Sequence, residues 1–148
     1  MDSLIVKIKR LDPSVPLPAY AYPGDAGLDL TASVDCTLAP LERALIPTGL
    51  QIALPEGYAG FCQPRSGLAL RVGLSQANTP GLIDSQYRGE IKIIAINLDK
   101  AEPIRITKGD RIAQLVILPV PRVSLVEVDE LDVTRRSDKG FGSSGLQD

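Results

Sequence analysis

The feature that most constrains the fold of this chain is its frequent interruption by glycine and proline. The 148 residues include 13 glycines and 12 prolines, scattered along the whole length. Proline lacks a backbone N–H and glycine favours turns, so each limits the length of regular structure. No stretch of about 12 residues shows the apolar spacing of an amphipathic helix. Many short strands separated by turns predict an all-β sandwich, jelly roll or small barrel.

Ten strands are predicted from the alternation of apolar and polar residues. They cover residues 4–8, 26–32, 36–38, 44–54, 58–63, 81–83, 90–97, 104–107, 111–118 and 123–128. We expect the strands at 81–83 and 90–97 to pair, and those at 104–107 and 111–118 to form a hairpin around Gly109. The core must consist of Val, Ile and Leu, because Trp is absent and aromatic residues are only 4%.

One short helix is predicted over residues 66–74. Ser66 is a residue type that caps helix N-termini, and Leu68, Ala69 and Val72 fall on one apolar face.

The length of the chain fits one compact domain with a distinct C-terminal end. From about residue 130 the chain is rich in charge and glycine and has little to bury. We predict a β domain over residues 1–130 and an arm over residues 131–148 that is mobile without ligand.

Several classes of site are excluded by the residue types that this chain lacks. It contains no histidine, and its two cysteines are Cys36 and Cys62. A Cys/His zinc site needs three or four ligands, and Ser-His-Asp or Cys-His catalysis needs a histidine base, so none of these is expected. We expect both cysteines to be buried free thiols, although the sequence also allows a disulfide.

Charge and hydropathy give no sign of a nucleic-acid or membrane partner. The formal net charge is −2, and the basic clusters at residues 7–10 and 135–136 are too short for a DNA-binding face. The N-terminus lacks a signal-peptide apolar region, and no run approaches the roughly 20 apolar residues of a membrane span. A soluble, cytoplasmic protein is therefore expected.

The glycine-rich tail at residues 140–145 suits phosphate binding but not a dinucleotide fold. Its letters match G-x-G-x-x-G, yet the chain ends three residues later and no βαβ unit follows. Its glycines expose backbone N–H groups, and Arg136 adds a guanidinium fork for phosphate. Phe141, between two glycines, is suited to stacking on a base. A disordered Gly/Ser tail is the alternative interpretation.

Two further segments are suggestive. Arg65, Ser66 and Gly67 precede the predicted helix, where a cation, a hydroxyl and helix N–H groups suit an anion; a simple cap beside an exposed arginine is the alternative. Asp84 and Tyr87 lie between two predicted strands, where a turn-forming aspartate and a packing tyrosine are commoner than a site.

Taken together, five ordered motifs resemble the trimeric dUTPase family, and they extend over nearly the whole chain. They are Asp25-Ala26-Gly27-Leu28-Asp29-Leu30, Pro64-Arg65-Ser66-Gly67-Leu68-Ala69, the segment from Gly81 to Glu90, the segment from Gly109 to Leu115, and Arg136 with Gly140 to Gly145.

The resemblance implies hydrolysis of dUTP to dUMP and pyrophosphate, which keeps dUTP out of DNA and supplies dUMP for thymidylate synthesis. Asp84 is implied as the general base that takes a proton from the water attacking the α-phosphorus. The implied substrate-binding residues are Arg65, Ser66, Gly67, Asn78, Leu82, Ile83, Asp84, Tyr87, Lys92, Gln114, Arg136, Phe141, Gly142 and Ser143.

The resemblance also implies how the substrate is selected and which metal assists. Tyr87 would pack under the deoxyribose and exclude a ribose, and a narrow pocket would exclude a 5-methyl group. Mg²⁺ is implied, held by the phosphates and by water with no direct protein ligand, and with Asp29 near it through water. Arg136 would clamp the γ-phosphate, and Phe141 would stack on uracil.

The fold implied by the resemblance is a β jelly roll of the β-clip type, assembled as a C3 homotrimer with shared active sites. The fifth motif departs from the family at one position: the residue after the arginine is commonly glycine, and here it is Ser137. Arg135 is also adjacent, and Arg136 is preferred by its spacing to the glycines.

Two other functions stay open at this point. A dCTP deaminase, or the bifunctional deaminase–dUTPase, shares the fold, but depends on a catalytic glutamate and lacks the glycine-rich arm. A trimeric jelly-roll module could instead bind a nucleotide or protein without turnover.

Overall fold

A computed structural model describes residues 3–146 and confirms an all-β architecture with one short helix. Residues 1–2 of the predicted domain and 147–148 of the predicted arm lie outside the described residues. The elements are β1 Lys7–Arg10, β2 Leu28–Thr31, β3 Cys36–Leu38, β4 Arg43–Ala53, β5 Tyr58–Gln63, α1 Ser66–Val72, β6 Leu74–Gln76, β7 Gly81–Ile83, β8 Glu90–Asn97, β9 Ile104–Ile106 and β10 Arg111–Pro119.

Two four-stranded antiparallel sheets and a two-stranded ribbon make up the fold. The first sheet has the order β1-β4-β8-β6, the second has the order β2-β10-β5-β7, and β3 pairs with β9. The expected aliphatic core is confirmed. Its largest fully buried apolar side chains are Leu30, Leu38, Ile46, Leu50 and Ile93.

Strand β4 is the longest and is bent by a bulge. Its pairing with β8 shifts register between Pro47 and Gln51, where proline cannot donate to the ladder. Gly49 has a φ of 73°, a conformation that favours glycine. The buried Thr48 hydroxyl donates to the Ile91 carbonyl at 2.6 Å, so the bulge stays tied to β8.

The two predicted strand pairings are wrong. β7 pairs with β5, whereas β8 pairs with β4 and β6, so residues 84–89 connect two sheets and are not the loop of a hairpin. In the same way β9 pairs with β3, while β10 pairs with β2 and β5. Turn residues show where a strand ends, but the burial of apolar faces selects its partner.

The predicted strand at residues 123–128 is also wrong, because this segment pairs with no strand in the described part of the chain. Its alternation is real, yet a strand needs a neighbour to satisfy its backbone. β6, in turn, was not predicted: at three residues it is too short for periodicity to reveal it.

The helix begins at Ser66, but Ser66 does not cap it. Arg65 occupies the N-cap position with an extended backbone and makes no side-chain cap bond. Of the expected apolar face, Leu68 packs partly against the core, Ala69 is exposed and Val72 is 37% exposed. The helix is seven residues long and buries no residue fully.

Both cysteines are free thiols, as expected; Cys62 is buried, but Cys36 is only partly buried. No helix within residues 3–146 has the length and apolar character needed to cross a membrane.

Candidate active site

A cavity of about 540 Å³ opens beside β7, and we call it the β7 pocket. β7 is the edge strand of its sheet and pairs only with β5 among the described residues, so main-chain groups on its other edge are unpaired there. The pocket brings together five residues that the resemblance assigns to the base and sugar: Asn78, Leu82, Ile83, Tyr87 and Lys92.

Tyr87 is fixed in the β7 pocket through its hydroxyl and its main chain. The hydroxyl donates to the main-chain oxygen of Glu90 at 2.8 Å, and the main-chain N–H of Tyr87 donates to the carbonyl of Asp84 at 3.1 Å. The ring lies against Gly89, where a Cβ would stand 2.6 Å from Tyr87 Cζ and would overlap the hydroxyl. Since Tyr87 is 46% exposed, one face of the ring is left for a ligand.

Two amide side chains converge on Gly81 within the β7 pocket. Asn78 Nδ2 lies 3.4 Å, and Gln76 Oε1 3.7 Å, from the position that a Gly81 Cβ would occupy. Gln76 is 5% exposed, and its Nε2 is buried without a hydrogen-bond partner in the described residues. Cys62 lies beside them, and burial raises the pKa of its thiol to about 11, so it is neutral at pH 7 and is not a nucleophile.

Asp84 follows Ile83 directly and begins the connection from β7 to β8. Its side chain is exposed and lines a further cavity of about 700 Å³, together with Tyr58 and Arg122. Within residues 3–146 the carboxylate makes no ion pair. An accessible carboxylate that no cation neutralises can accept a proton from water.

A cavity of about 490 Å³ lies beside α1, and we call it the α1 cleft. Arg65, Ser66 and Gly67 line it where the helix begins. Asp29 from β2 and Gln114 from β10 line it as well. The α1 cleft thus collects the residues that the resemblance assigns to phosphate and to hydrated metal.

Asp29 organises the cationic side of the α1 cleft. Its Oδ1 lies 3.4 Å from Arg65 Nε, and its Oδ2 lies 3.4 Å from Arg111 Nη1. Arg65 Nη1 also donates to the main-chain oxygen of Arg111 at 3.3 Å. These contacts hold Arg65 in one orientation and neutralise part of its charge.

The position of the Gln114 side chain depends on Gly27, which faces it. Its Nε2 donates to the Pro64 carbonyl at 3.1 Å, and its Oε1 lies 2.6 Å from the place where a Gly27 Cβ would stand. Only glycine at position 27 leaves room for this arrangement. The first, second and fourth motifs therefore meet in the α1 cleft.

The β7 pocket and the α1 cleft lie on opposite faces of one sheet. Cys62 lines the pocket, and Gln63, the next residue of β5, lines the cleft. Side chains of consecutive strand residues point to opposite faces. Across residues 3–146 the two cavities share no lining residue. The two cavities are therefore separate within the described part of one chain.

Comparison with known proteins identifies the family. The family model for dUTPase matches residues 14–145, close to nine-tenths of the chain.

The chain belongs to the dUTPase family.

Relatives within the dUTPase family match nearly the whole of this chain. The deoxyuridine 5'-triphosphate nucleotidohydrolase of Thermobifida fusca is 59% identical over 95% of this chain and 78% of its own. That of Corynebacterium glutamicum is 56% identical over 97% of both chains. The solved dUTPase of Staphylococcus bacteriophage 80alpha with dUpNHpp has a TM-score of 0.89 and 32% identity, and the match covers 96% of this chain and 99% of that one.

The α1 cleft fits a hydrated magnesium ion better than one caged by protein ligands. No group of three or more His, Cys, Asp or Glu that could hold a metal occurs in the described part of the chain. Asp29 lines the cleft but is already paired with two arginines. Mg²⁺ usually keeps several waters and needs few carboxylates. The solved dUTPase of phage phi11 of S. aureus, at 27% identity and a TM-score of 0.80, is described with a structural Mg(II) ion.

The structure does not bring the fifth dUTPase motif to either cavity. Arg136 Nε donates to the Lys139 carbonyl at 2.9 Å, and Phe141 is fully exposed. Gly142 has a φ of 81°, and Ser143 N–H donates to the Gly140 carbonyl at 3.1 Å, so this part of the arm is a run of turns.

Ser137, where the resemblance leads us to expect glycine, has a left-handed backbone. Its φ is 52°, in the left-handed region that disfavours residues with a Cβ. The Ser137 N–H donates to the Thr134 hydroxyl at 3.0 Å, which helps to hold the turn.

The cavity-lining residues that were not singled out from the sequence include Gln76 in the β7 pocket, and Tyr22 and Arg71 in the α1 cleft. Arg71 lies four residues after Gly67 in the predicted helix, and such residues face the same side. That spacing was the available signal. Gln76 and Tyr22 are outside every motif, so no local pattern marks them.

Proposed function

We propose that this chain hydrolyses dUTP to dUMP and pyrophosphate, with Asp84 activating the attacking water. The observation that carries the proposal is that the residues expected to bind uracil and the general base follow one another in the chain. Leu82 and Ile83 line the β7 pocket, and Asp84 is the next residue. The reaction would keep dUTP out of DNA and supply dUMP.

The β7 pocket would select the base and the sugar. Main-chain groups of β7 and the amide of Asn78 would bind the polar edge of uracil, and the pocket would leave no room for a 5-methyl group. The Tyr87 ring would lie under the deoxyribose, where a 2′-hydroxyl would clash. Because Gly89 and the bond to Glu90 fix the ring, it has little freedom to make way.

Asp84 would accept a proton from a water as that water's oxygen attacks the α-phosphorus. The bond between the α-phosphorus and its bridging oxygen to the β-phosphate then breaks, and pyrophosphate leaves. The Asp84 carboxylate is exposed, and none of the ion pairs among residues 3–146 involves it, so it is free for this role. Phosphoryl transfer depends mainly on positioning and charge stabilisation, so a modest base suffices.

The α1 cleft would hold the phosphates through Arg65, Ser66, Gly67 and Gln114. Mg²⁺ carried by the triphosphate would neutralise negative charge there, with Asp29 accepting hydrogen bonds from its water shell.

We also propose a homotrimer in which one copy supplies the β7 pocket and a neighbour supplies the α1 cleft. Two observations support it. The cavities face opposite sides of a sheet within one chain, and residues 123–133 leave a row of apolar side chains exposed. These are Val123, Leu125, Val126, Val128, Leu131 and Val133. Exposed apolar patches mark interfaces. Light scattering should give three times the 15.8 kDa chain mass, and a monomer would refute the assembly.

In such a trimer, the arm over residues 131–148 would extend to an active site whose two cavities come from the other copies. Arg136 would bind the γ-phosphate, Phe141 would stack on uracil, and Gly142 and Ser143 would contribute main-chain N–H groups. Arm closure would exclude bulk water while the attacking water stays beside Asp84.

The experiment measures pyrophosphate released from dUTP, dCTP, UTP and dTTP, with and without Mg²⁺, and ammonia released from dCTP. We expect turnover of dUTP alone. Asp84→Asn should lower kcat by about a thousandfold or more while dUpNHpp still binds, because only the proton acceptor is lost. Glu102→Gln, at an exposed carboxylate that lines neither cavity and lies outside residues 123–133, is the matched control. Normal turnover by Asp84→Asn, or ammonia from dCTP, would refute the assignment.

A further inference from the structure

Arg71 lines the α1 cleft but has no part in the reaction described above. It lies in the last turn of α1, and its guanidinium folds back over Gly67. Its Nη1, Nη2 and Cζ lie 3.1, 3.4 and 3.5 Å from the position of a Gly67 Cβ. The whole cationic head therefore rests against the backbone turn at Ser66 and Gly67.

Arg71 differs from Arg65 in having no acidic partner within the described chain. Arg65 uses Nε for Asp29 and Nη1 for the Arg111 carbonyl. No ion pair of Arg71 occurs within residues 3–146. Its planar fork of donors is therefore available to an anion.

The charge balance of the α1 cleft also depends on Arg71. The charged residues that line the cleft are two aspartates, Asp25 and Asp29, and two arginines, Arg65 and Arg71. Asp29 also pairs with Arg111 at 3.4 Å, so without Arg71 the charges at the cleft would only balance. A triphosphate with one divalent cation is itself an anion, so the net positive charge that Arg71 supplies would attract it.

We propose that Arg71 is a phosphate-binding residue that holds oxygens of the nucleotide at the Ser66–Gly67 turn. It acts beside Arg65, and its guanidinium lies so close to Gly67 that a Cβ there would press against it and shift it slightly. The inference rests on the proposed function, because it takes dUTP as the ligand of the cleft.

The first test compares Arg71→Gln and Arg71→Lys with the unmodified chain, by calorimetry with dUpNHpp and by steady-state kinetics with dUTP. Arg71→Gln should raise the Kd and the KM about tenfold, the usual size of one charge-assisted hydrogen bond, and change kcat less than about twofold. The Kd and KM of Arg71→Lys should lie between those of Arg71→Gln and the unmodified chain, because lysine keeps the charge but lacks the planar fork of donors.

Salt provides a readout that a merely structural role would not move. The KM of the unmodified chain should rise more steeply with ionic strength than that of Arg71→Gln, because one screened contact has been removed. Arg43→Gln is the control, since Arg43 is an exposed arginine on β4 that lines neither cavity. Unchanged Kd, KM and salt slope in Arg71→Gln would overturn the inference.

A double-mutant cycle tests the role of Gly67. Gly67→Ala should weaken dUpNHpp binding, and in the Arg71→Gln background its additional effect should shrink by at least about half, because the displaced group is already absent. Full additivity would overturn the proposed link between the two residues.

Failure of this inference can be distinguished from failure of the proposed function. If the unmodified chain binds dUpNHpp but releases no pyrophosphate from dUTP, the proposed function is wrong. If the chain is active and Arg71→Gln leaves Kd, KM and salt slope unchanged, only this inference is wrong.

Discussion

The β7 pocket and the α1 cleft are built by different kinds of interaction. The pocket consists of main chain, buried side chains such as Ile83 and Cys62, and the Tyr87 ring held by Gly89. The cleft consists of long polar side chains such as Arg65, held by ion pairs of 3.4 Å. Packing tolerates little change in shape, whereas partly exposed ion pairs are weak and screened by salt. Base selectivity should therefore be rigid, and phosphate binding adjustable.

The largest expected effect concerns where the two cavities combine. Asp84→Asn and Arg65→Ala should each be nearly inactive alone. If one copy supplies Asp84 and its neighbour supplies Arg65, mixed trimers formed at equal proportions should recover about a quarter of full activity, because that fraction of sites pairs two intact halves. The measurement is dUTP turnover after the two variants are unfolded and refolded together. If no turnover of dUTP returns, both cavities belong to the active site of one copy, and the proposed sharing between copies is wrong.

The second-largest effect is expected in the β7 pocket. Gly89→Ala should displace the Tyr87 ring and reduce discrimination against UTP by about tenfold or more, because its Cβ would occupy the space of the ring. The readout is the ratio of kcat/KM for dUTP and UTP. In a Tyr87→Ala background the same change should add little, since the clash is gone; a full effect there would show that Gly89 acts by another route.

A smaller effect is expected from the matching glycine of the α1 cleft. Gly27→Ala should push Gln114 away and break its 3.1 Å bond to Pro64, raising the KM for dUTP about three- to tenfold. Because the β7 pocket is untouched, the preference for dUTP over UTP should not change. A loss of base selectivity would contradict the separation of the two regions.

The smallest effect concerns the arm. Ser137→Gly should relieve a left-handed backbone worth about 1 kcal/mol and raise kcat/KM by a few-fold at most, if the arm keeps this turn when it closes. Ser137→Ala, which keeps the Cβ, is the control and should bring no gain. A lower rate for Ser137→Gly would mean that flexibility in the arm is harmful.

Much of the fold could be predicted from the sequence because strand positions depend on local signals. The short strands β3, β5, β7 and β8 lie at the predicted residues, and the aliphatic core follows from the lack of aromatic residues. The five motifs likewise identified the family, which the match over residues 14–145 confirms. The assignment of individual site residues stays a prediction for the experiments above.

Strand pairing and the faces of the sheets were decided only by the tertiary structure. No local signal distinguishes a hairpin between β7 and β8 from a connection between two sheets, because the choice depends on which faces become buried. The same holds for Cys62 and Gln63, which are neighbours in the chain yet line separate cavities. Sequence alone determined the family and the positions of several strands, and it predicted which residues carry the chemistry. The burial of apolar surface determined which of these residues meet, because contacts between distant residues exist only after the sheets have packed.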